Sequence, residues 1–240
     1  MILPRLAELA AGARVHEGSE HTVIVLAPSR RSASTQAAEA VAGLIRVSPD
    51  EGRRRLAISY PEPLVLLEQD TASDALRALR EAGVEAFDVP ASEALVAPSV
   101  FEVEHVDAGE EAWSFRDRAG KTRQLGRAAP RFVAQGQRLE VRDNGRRRSE
   151  PIAIVFQPSG DPLVLTSFSL RSGPVGRTPP QRLQALVEEL VTPPGRGVTI
   201  PGCSAPALLA PEREGVRSNT LSLALAARLL RWRAEQDSLG

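Results

Sequence analysis

The cysteine and the histidines are the residues of this chain that could act as a nucleophile and its base. Cys203, the only cysteine, lies in the loop-like sequence Pro-Gly-Cys-Ser, and a catalytic thiol requires a neighbouring base and a lowered pKa. His105 falls at a strand-like position in the carboxy-terminal half, close to Glu102 and Glu104. One hypothesis is therefore an enzyme whose site combines Cys203, His105 and carboxylates from loops of that half.

The other two histidines do not form a metal-binding motif. His16 and His21 are five residues apart, whereas a metal-binding pair on one helix face is four apart, and no third ligand follows nearby. The chain contains neither a Gly-x-Ser-x-Gly nucleophile elbow nor a phosphate-binding P-loop. The sequence therefore predicts no catalytic residue, no cofactor and no metal, and it favours a protein without enzymatic activity.

Two runs of three arginines are the strongest local charges. Arg53, Arg54 and Arg55 fall on a predicted helix with acidic residues nearby, and residues 146–148 follow a predicted hairpin turn. Arginines can bind phosphates or an acidic partner, yet 30 basic and 30 acidic residues cancel over the whole chain. A solvated surface is the favoured interpretation of both runs. We retain Arg53, Arg54 and Arg55 as predicted partner-binding residues and a ribosome- or nucleic-acid-associated factor as another hypothesis.

Composition predicts a soluble, cytoplasmic protein of one large or two small domains. A single cysteine excludes an internal disulfide, and no apolar run approaches the roughly 18–20 residues of a membrane span. The first 21 residues lack the apolar central region of a signal peptide. Lys121 is the only lysine, and the abundance of Ala, Arg, Gly and Pro is typical of a GC-rich bacterial genome.

The segment from His21 to Val89 has the clearest pattern of elements. Apolar runs and alternation predict strands at 21–27, 63–68 and 84–89. Helices are predicted to begin near Ser34, at Ser48 and at Thr71, where capping residues precede apolar stripes. Gly83 supplies the left-handed residue that ends the third helix. The order is therefore β-α-α-β-α-β.

In element order, length and local pattern this segment resembles the carboxy-terminal domain of the ribosomal stalk protein L7/L12. That domain shares its fold with the adaptor of the Clp protease that recognises amino-terminal degrons. The matching stretches are VIVL at 23–26, AVAG at 40–43, the capped helix at 48–58 and ALRALREAGVEAFDV at 75–89. The resemblance covers under a third of the chain and implies a compact scaffold that binds other proteins through exposed helix faces.

The functional residues of these relatives are mostly replaced. The stalk domain contacts translation factors through basic residues of its first helix and the adjoining turn, where this chain has Glu39 and Ala42 and keeps only Arg53. The protease adaptor uses an Asn-Asp-Asp loop and a helix histidine, whereas the loop here is Pro-Ser-Arg-Arg at 28–31 and the helices lack histidine. The resemblance therefore implies a scaffold without carrying over either activity.

The apolar residues of the carboxy-terminal half recur with a different period from those of the preceding segment. Residues 91–98 have linker composition, and alternation separated by turn residues then predicts a meander of strands at 100–106, 112–116, 121–125, 131–134, 139–141, 152–157 and 163–169. Helices are predicted from Thr178 and over 218–233, with a Gly/Pro-rich loop at 195–209 between them. This order of elements is similar to that of a pleckstrin-homology domain. The analogy rests on element order, because no sequence motif supports it.

Together these patterns predict an α+β protein with a β-α-α-β-α-β domain at 1–90, a linker at 91–98, and an antiparallel bent sheet or small barrel with two helices at 99–240. The favoured function is a non-catalytic protein-interaction or adaptor protein whose partner is another protein, without membrane contact and with nucleic acid disfavoured.

Overall fold

The protein has an α+β fold with curled sheets, seen in a computed structural model that describes residues 21–28, 34–58, 61–95, 99–167, 178–200, 210–213 and 216–238. The chain divides into two compact units. Unit 1 contains residues 1–97 together with 228–240, and unit 2 contains residues 98–227. The sequence pattern placed 228–240 with the carboxy-terminal domain, whereas the described residues 228–238 belong to unit 1.

Unit 1 follows the predicted β-α-α-β-α-β order. Its elements are β1 (His21–Leu26), α1 (Thr35–Ile45), α2 (Pro49–Leu56), β2 (Glu62–Glu68), α3 (Gln69–Glu81), β3 (Ala86–Pro90) and the short helix α4 (Ala91–Ala94). The strands form an antiparallel sheet in the order β2-β1-β3. Helix α4 lies inside the segment that composition marked as a linker.

Capping serines set the starts of α1 and α2 in unit 1. The Ser34 hydroxyl accepts a hydrogen bond from the Ala37 N–H (3.0 Å), and Ser48 accepts one from the Glu51 N–H (3.3 Å), as predicted. The prediction that Thr71 caps the third helix is wrong, because α3 begins two residues earlier at Gln69, directly after β2. Gly83 adopts a left-handed φ of 77° after that helix, as predicted.

Both faces of the unit 1 sheet are buried. One face packs against α1 and α3 through Ile24, Leu26, Val41, Leu64, Leu76 and Leu79. The other face buries Val23, Val25, Phe87 and Val89. The last helix of the chain, α6 (Thr220–Gln236), contributes its residues from Arg228 onward to this unit, and the Arg233 guanidinium lies 5.9 Å from the centre of the Phe87 ring.

Unit 2 contains two sheets and helix α5 (Pro179–Val191). A three-stranded antiparallel sheet has the order β5-β6-β7, and a larger sheet has the order β12-β13-β8-β9-β10-β4, with β11 also paired to β8. The strands are β4 (Phe101–Glu102), β5 (His105–Ala108), β6 (Ala112–Arg116), β7 (Thr122–Gly126), β8 (Arg131–Arg142), β9 (Arg147–Phe156), β10 (Leu163–Thr166), β11 (Gly195–Thr199), β12 (Ala210–Arg213) and β13 (Val216–Ser218).

The long strands β8 and β9 carry a different environment on each face. Their odd-numbered face, with Val133, Ala153 and Val155, packs against α5 and the aromatic residues Trp113 and Phe115. Their even-numbered face buries Phe132, Ala134, Ile152, Ile154 and Phe156. Because alternate side chains of a strand point to opposite faces, the register of this hairpin decides which side chains lie beside α5.

The sheet differs from the predicted meander in several places. The stretches 131–134 and 139–141 belong to one strand, β8, whereas 100–106 splits into β4 and β5. Two pairings are parallel, β4 with β10 and β11 with β8, so the larger sheet is mixed. The predicted Asp-Asn-Gly turn is confirmed between β8 and β9, where Gly145 has a φ of 77°.

The prediction of a loop over 195–209 is wrong for its first part, because β11 is a strand. A Cβ on Gly195 would clash with the Leu190 carbonyl oxygen, and one on Gly197 would lie 2.7 Å from Val191 Cγ1. These glycines let β11 run against the end of α5, which is why a strand here has a loop-like composition. Residues 201–209 lie outside the described part of the chain.

Replacing Gly52 by Ala tests the close approach of α1 and α2. A Cβ on Gly52 would clash with the Ala38 carbonyl oxygen and lie 3.1 Å from the Ala42 nitrogen, so Gly52→Ala should destabilise unit 1 by about 1–3 kcal/mol. Gly43→Ala is the matched control, because nothing lies within 4 Å of its added Cβ, and it should stabilise helix α1 by up to about 1 kcal/mol. Urea unfolding followed by circular dichroism measures both. Equal stability of the two variants would contradict this packing.

Candidate functional site

A groove of about 530 Å³ opens in unit 2 beside the amino-terminal turns of α5. Strands β8 and β9 form one side, and the end of β11 closes it. Its polar lining consists of Gln135, Gln137, Gln181, Gln184 and Thr199, and its apolar lining includes Pro151, Ile152, Pro180, Leu183, Val187 and Ile200. None of the lining residues that the structure describes is ionisable, so these residues form an uncharged, amide-rich surface over an apolar floor.

Hydrogen bonds to neighbouring groups orient three of the glutamines. Gln181 accepts from the Thr178 N–H (2.8 Å) through Oε1, and Gln137 accepts from the Ser149 hydroxyl (3.4 Å) through Oε1. Each of these two side chains therefore keeps its NH₂ group as a donor. Gln184 instead donates from Nε2 to Glu188 (3.1 Å), which leaves its Oε1 as an acceptor. The groove thus offers donors and an acceptor, the complement of a peptide backbone.

Asn219 holds the backbone of β8 at the groove. Its Oδ1 accepts from the Leu139 N–H (2.7 Å), its Nδ2 donates to the Gln137 carbonyl (3.2 Å), and its own N–H donates to the Leu139 carbonyl (3.2 Å). Strand β11 pairs with residues 131–135 of β8, and β13 pairs with residues 140–142. Asn219 therefore supplies backbone hydrogen bonds to the part of β8 that lies between these two partners. Gln137 is consequently presented from a fixed backbone.

Arg131 anchors the other end of α5. Its buried guanidinium donates to the carbonyl oxygens of Leu190 (2.6 Å), Arg127 (2.8 Å), Ala129 (2.9 Å), Thr192 (3.0 Å) and Glu189 (3.4 Å). It also lies 4.8 Å from the centre of the Trp113 ring, against which Arg127 packs at 4.4 Å. Burial, and then the charge of Arg127, lower the pKa of Arg131. The helix that forms one wall of the groove is therefore fixed at its carboxyl end.

A buried ionic cluster on the opposite face of β8 and β9 was not predicted. Arg138 donates to Glu150 (2.5 Å), Glu140 (3.2 Å) and Thr220 (3.1 Å), and Ser167 donates to Glu150 (3.3 Å). The exposed fractions of Arg138, Glu140 and Glu150 are 7 %, 3 % and 3 %. These hydrogen bonds join the two strands to the start of α6 in a buried polar network.

The three predicted partner-binding arginines all pair with carboxylates. Arg53 contacts Asp50 (2.8 Å) and Arg54 contacts Glu51 (3.3 Å), whereas Arg55 binds both Glu51 (3.0 Å) and Glu62. Two of these acids lie in the first turn of α2 and the arginines in its last turn, an arrangement that also suits the helix dipole. Their positive charge is largely compensated within unit 1, and their predicted role in partner binding stays a prediction.

Glu62 is the one acid of this group that is deeply buried. Its exposed fraction is 2 %, and within the described part of the chain its Oε2 has no hydrogen-bond partner. Burial raises the pKa of the Glu62 carboxyl group, and Arg55 opposes this rise. Its position at the start of β2 explains the ion pair, because the preceding helix α2 presents Arg55 to it.

The other candidate residues are not brought together. His105 is half-buried on β5, opposite Arg116, and His21 is half-buried at the start of β1, opposite Glu68. Cys203 and His16 lie outside the described residues. In the ranges that the structure describes, no set of three His, Cys, Asp or Glu side chains could hold a metal ion.

Sequence reasoning missed the glutamines of the groove, although each pair has a local signal. Gln135 and Gln137 are two residues apart in a strand, and Gln181 and Gln184 are three apart in a helix, so each pair shares one face. The sequence does not show that these two faces meet, because about 45 residues separate the pairs and the contact is made by tertiary packing.

Comparison with protein-family models, with curated proteins and with solved structures finds no match to this chain. Among the described helices, none is both long and apolar enough to cross a membrane. The function is therefore inferred from the geometry of the chain itself.

Replacing Arg131 by Lys tests the anchoring of α5. Lysine cannot reach five carbonyl oxygens, and leaving some of them buried without a donor should cost about 2–4 kcal/mol. Arg127→Lys is the matched control, since Arg127 flanks the same indole but is 38 % exposed, and its cost should be below about 1 kcal/mol. Fluorescence of Trp113 during urea unfolding, in a Trp232→Phe background, reports both. Similar losses in the two variants would refute the anchoring role.

Replacing Glu62 by Gln tests the titration of this buried carboxyl group. The pKa of Glu62 is raised in the folded state, so the protonated carboxyl group stabilises the fold at pH values below the usual pKa of 4.5. This stabilisation is lost as the pH rises through the raised pKa. Glutamine does not titrate, so the free energy of unfolding of Glu62→Gln should increase relative to wild type as the pH rises above 4.5. Urea unfolding at several pH values measures this difference, and a constant difference would count against the raised pKa.

Proposed function

We propose that this protein is a non-catalytic adaptor that binds an uncharged, extended segment of another protein in the groove of unit 2. The observation that supports the proposal is the lining of the groove, in which four glutamines and a threonine surround an apolar floor without any ionisable side chain. Such a lining provides hydrogen bonds and apolar contact, and its described residues include no acid or base.

The hydrogen-bonding capacity of the groove matches a peptide backbone. An extended segment carries alternating N–H and C=O groups that lose water on binding and must find new partners. Gln137 and Gln181 can donate to its carbonyls, and Gln184 can accept from its N–H groups. Charged side chains in the same place would lose their hydration without an opposite charge in the lining, which favours an uncharged segment.

The size and placement of the groove support the same interpretation. A volume of about 530 Å³ falls within the roughly 300–1,000 Å³ of sites that enclose small ligands, enough for a few side chains of a bound segment. The groove lies between a sheet and a helix that are fixed by Asn219 and Arg131, so its shape exists before the partner binds and less entropy is lost on binding.

The remaining elements of the proposal come from the sequence. The resemblance of 21–89 to the stalk and protease-adaptor fold implies a scaffold whose relatives bind proteins, and we propose the same general role for unit 1. A cytoplasmic location is proposed from the composition, with its single cysteine. The partner is another protein.

Panning a phage-displayed dodecapeptide library on the full-length protein tests the function. Wild type should enrich uncharged peptides, and Gln137→Arg should weaken their binding roughly tenfold or more, because it places a large cation in the groove. Fluorescence anisotropy of the labelled, amidated peptides gives the affinities. Gln124→Arg is the matched control, since Gln124 is an exposed strand glutamine of β7 that does not line the groove.

Two results would refute this function. The first is that wild type enriches no peptide above the background of the uncoated support, and the second is that the enriched peptides bind Gln137→Arg as tightly as wild type. The second result would place the peptide-binding surface elsewhere on the protein.

A further inference from the structure

The sheet face that forms the groove continues beyond it toward the β8–β9 turn. On this face, Gln137 lies opposite Pro151, the next row pairs Leu139 with Ser149, and the row after that pairs Val141 with Arg147. Directly opposed residues of an antiparallel pair point to the same face, and the hydrogen bond from Ser149 to Gln137 confirms this orientation. The groove and these rows therefore form one strip.

Two arginines lie at the far end of the strip. Arg147 flanks Val141 from β9, and Arg217 flanks the same residue from β13. Both side chains are exposed, and neither forms an ion pair with a residue that the structure describes. Arg142, Arg148 and the acids Glu140 and Glu150 have the opposite parity in their strands, so they point to the other face.

Among the described residues, the paired rows of the strip contain no acidic side chain, and the exposed Asp143 lies beyond them in the β8–β9 turn. On β8 it presents Gln135, Gln137, Leu139 and Val141, and on β9 it presents Arg147, Ser149, Pro151 and Ala153. The charge of these paired rows is therefore positive and is confined to one end, about four residues from Gln137. At about 3.3 Å per residue this separation is roughly 13 Å.

We propose that Arg147 and Arg217 bind an acidic side chain of the partner segment, about four residues from the uncharged stretch that occupies the groove. An extended segment that follows β8 covers the same distance with the same number of residues. The inference rests on the proposed function of the groove and adds a specificity element to it. The partner motif is thus an uncharged stretch followed or preceded by Glu or Asp at this spacing.

The arrangement favours a peptide over a nucleic acid. A nucleic acid carries a phosphate on every nucleotide and is bound by cations distributed along its path. The strip has two cations at one end, and the remainder offers amides and half-buried apolar side chains such as Leu139 and Val141. A single carboxylate at one end of an otherwise uncharged segment is complementary to this pattern.

Two pools of acetylated and amidated dodecapeptides test the proposal. Both contain randomised uncharged residues, and each peptide carries Glu in one pool and Gln in the other at a position that is scanned along the chain. The pools are incubated with immobilised full-length protein, and the bound peptides are quantified by mass spectrometry. Blocked ends ensure that the side chain is the only carboxylate.

Wild type should retain the Glu peptides roughly twofold to fivefold better than the Gln peptides at the matching position, the range that exposed ion pairs support. This preference should disappear in the double variant Arg147→Gln/Arg217→Gln and in 0.5 M salt, where the Debye length falls to roughly 4 Å. Arg146→Gln is the matched control, because Arg146 is an exposed arginine of the same hairpin, and it should keep the preference.

The outcomes separate this inference from the function on which it rests. If the Gln peptides bind wild type and lose binding in Gln137→Arg, but Glu brings no advantage, the arginine site is refuted and the groove stands. A Glu preference that survives in the double variant, or that is lost equally in Arg146→Gln, also refutes the site. If neither pool binds, the proposed function itself fails.

Binding of a labelled oligothymidine that requires Arg147 and Arg217, without a Glu preference, would indicate nucleic acid instead.

Discussion

The burial of the Arg131 guanidinium is the constraint on which unit 2 depends. A guanidinium can be enclosed only when nearly all of its N–H groups have acceptors, and here five backbone carbonyls accept from it. Three of these carbonyls belong to the end of α5 and the turn after it, where a helix leaves its last C=O groups without partners. One side chain thus satisfies both needs and joins strand β8 to the helix. The groove exists because this junction fixes the orientation of α5.

Close backbone approach at glycine is the second constraint. Gly195 and Gly197 let β11 pass against the end of α5, and Gly52 lets α2 pack on α1. In each case a single methyl group would meet backbone or a β-branched side chain, which cannot move aside without shifting the element. The parallel strand β11 then covers the first part of β8, and its end at Thr199 becomes part of the groove.

Charge is distributed differently in the two units. In unit 1 the arginines of α2 are compensated by acids of the same helix and by Glu62, so little net field extends from them. In unit 2, Glu140 and Glu150 are held in the sheet by Arg138 and Arg142, on the opposite face from Arg147 and Arg217. A run of three consecutive arginines is therefore divided by the pleat of the strand, so Arg147 points to the groove face while Arg148 points away.

The sequence by itself determined most of unit 1. The capping residues Ser34 and Ser48, the left-handed Gly83 and the period of the apolar residues act within a few residues, so they specify the elements and their order locally. Thr71 was misassigned because β2 runs directly into α3, so the helix begins without a side-chain cap. The sequence likewise placed the turn at Gly145 and the start of α5 after Thr178.

Only the tertiary structure decided the candidate site. Whether a Gly/Pro-rich stretch is a loop or the strand β11 depends on a parallel partner that is about 60 residues away in the chain. The amides of β8 and α5 have no local signature that links them, since they meet through packing that Arg131 and Asn219 hold in place. Helix caps and turns are local interactions and can be recognised in the sequence. A groove between distant elements is a property of their packing, and the sequence becomes informative about it only after the register of the strands is known.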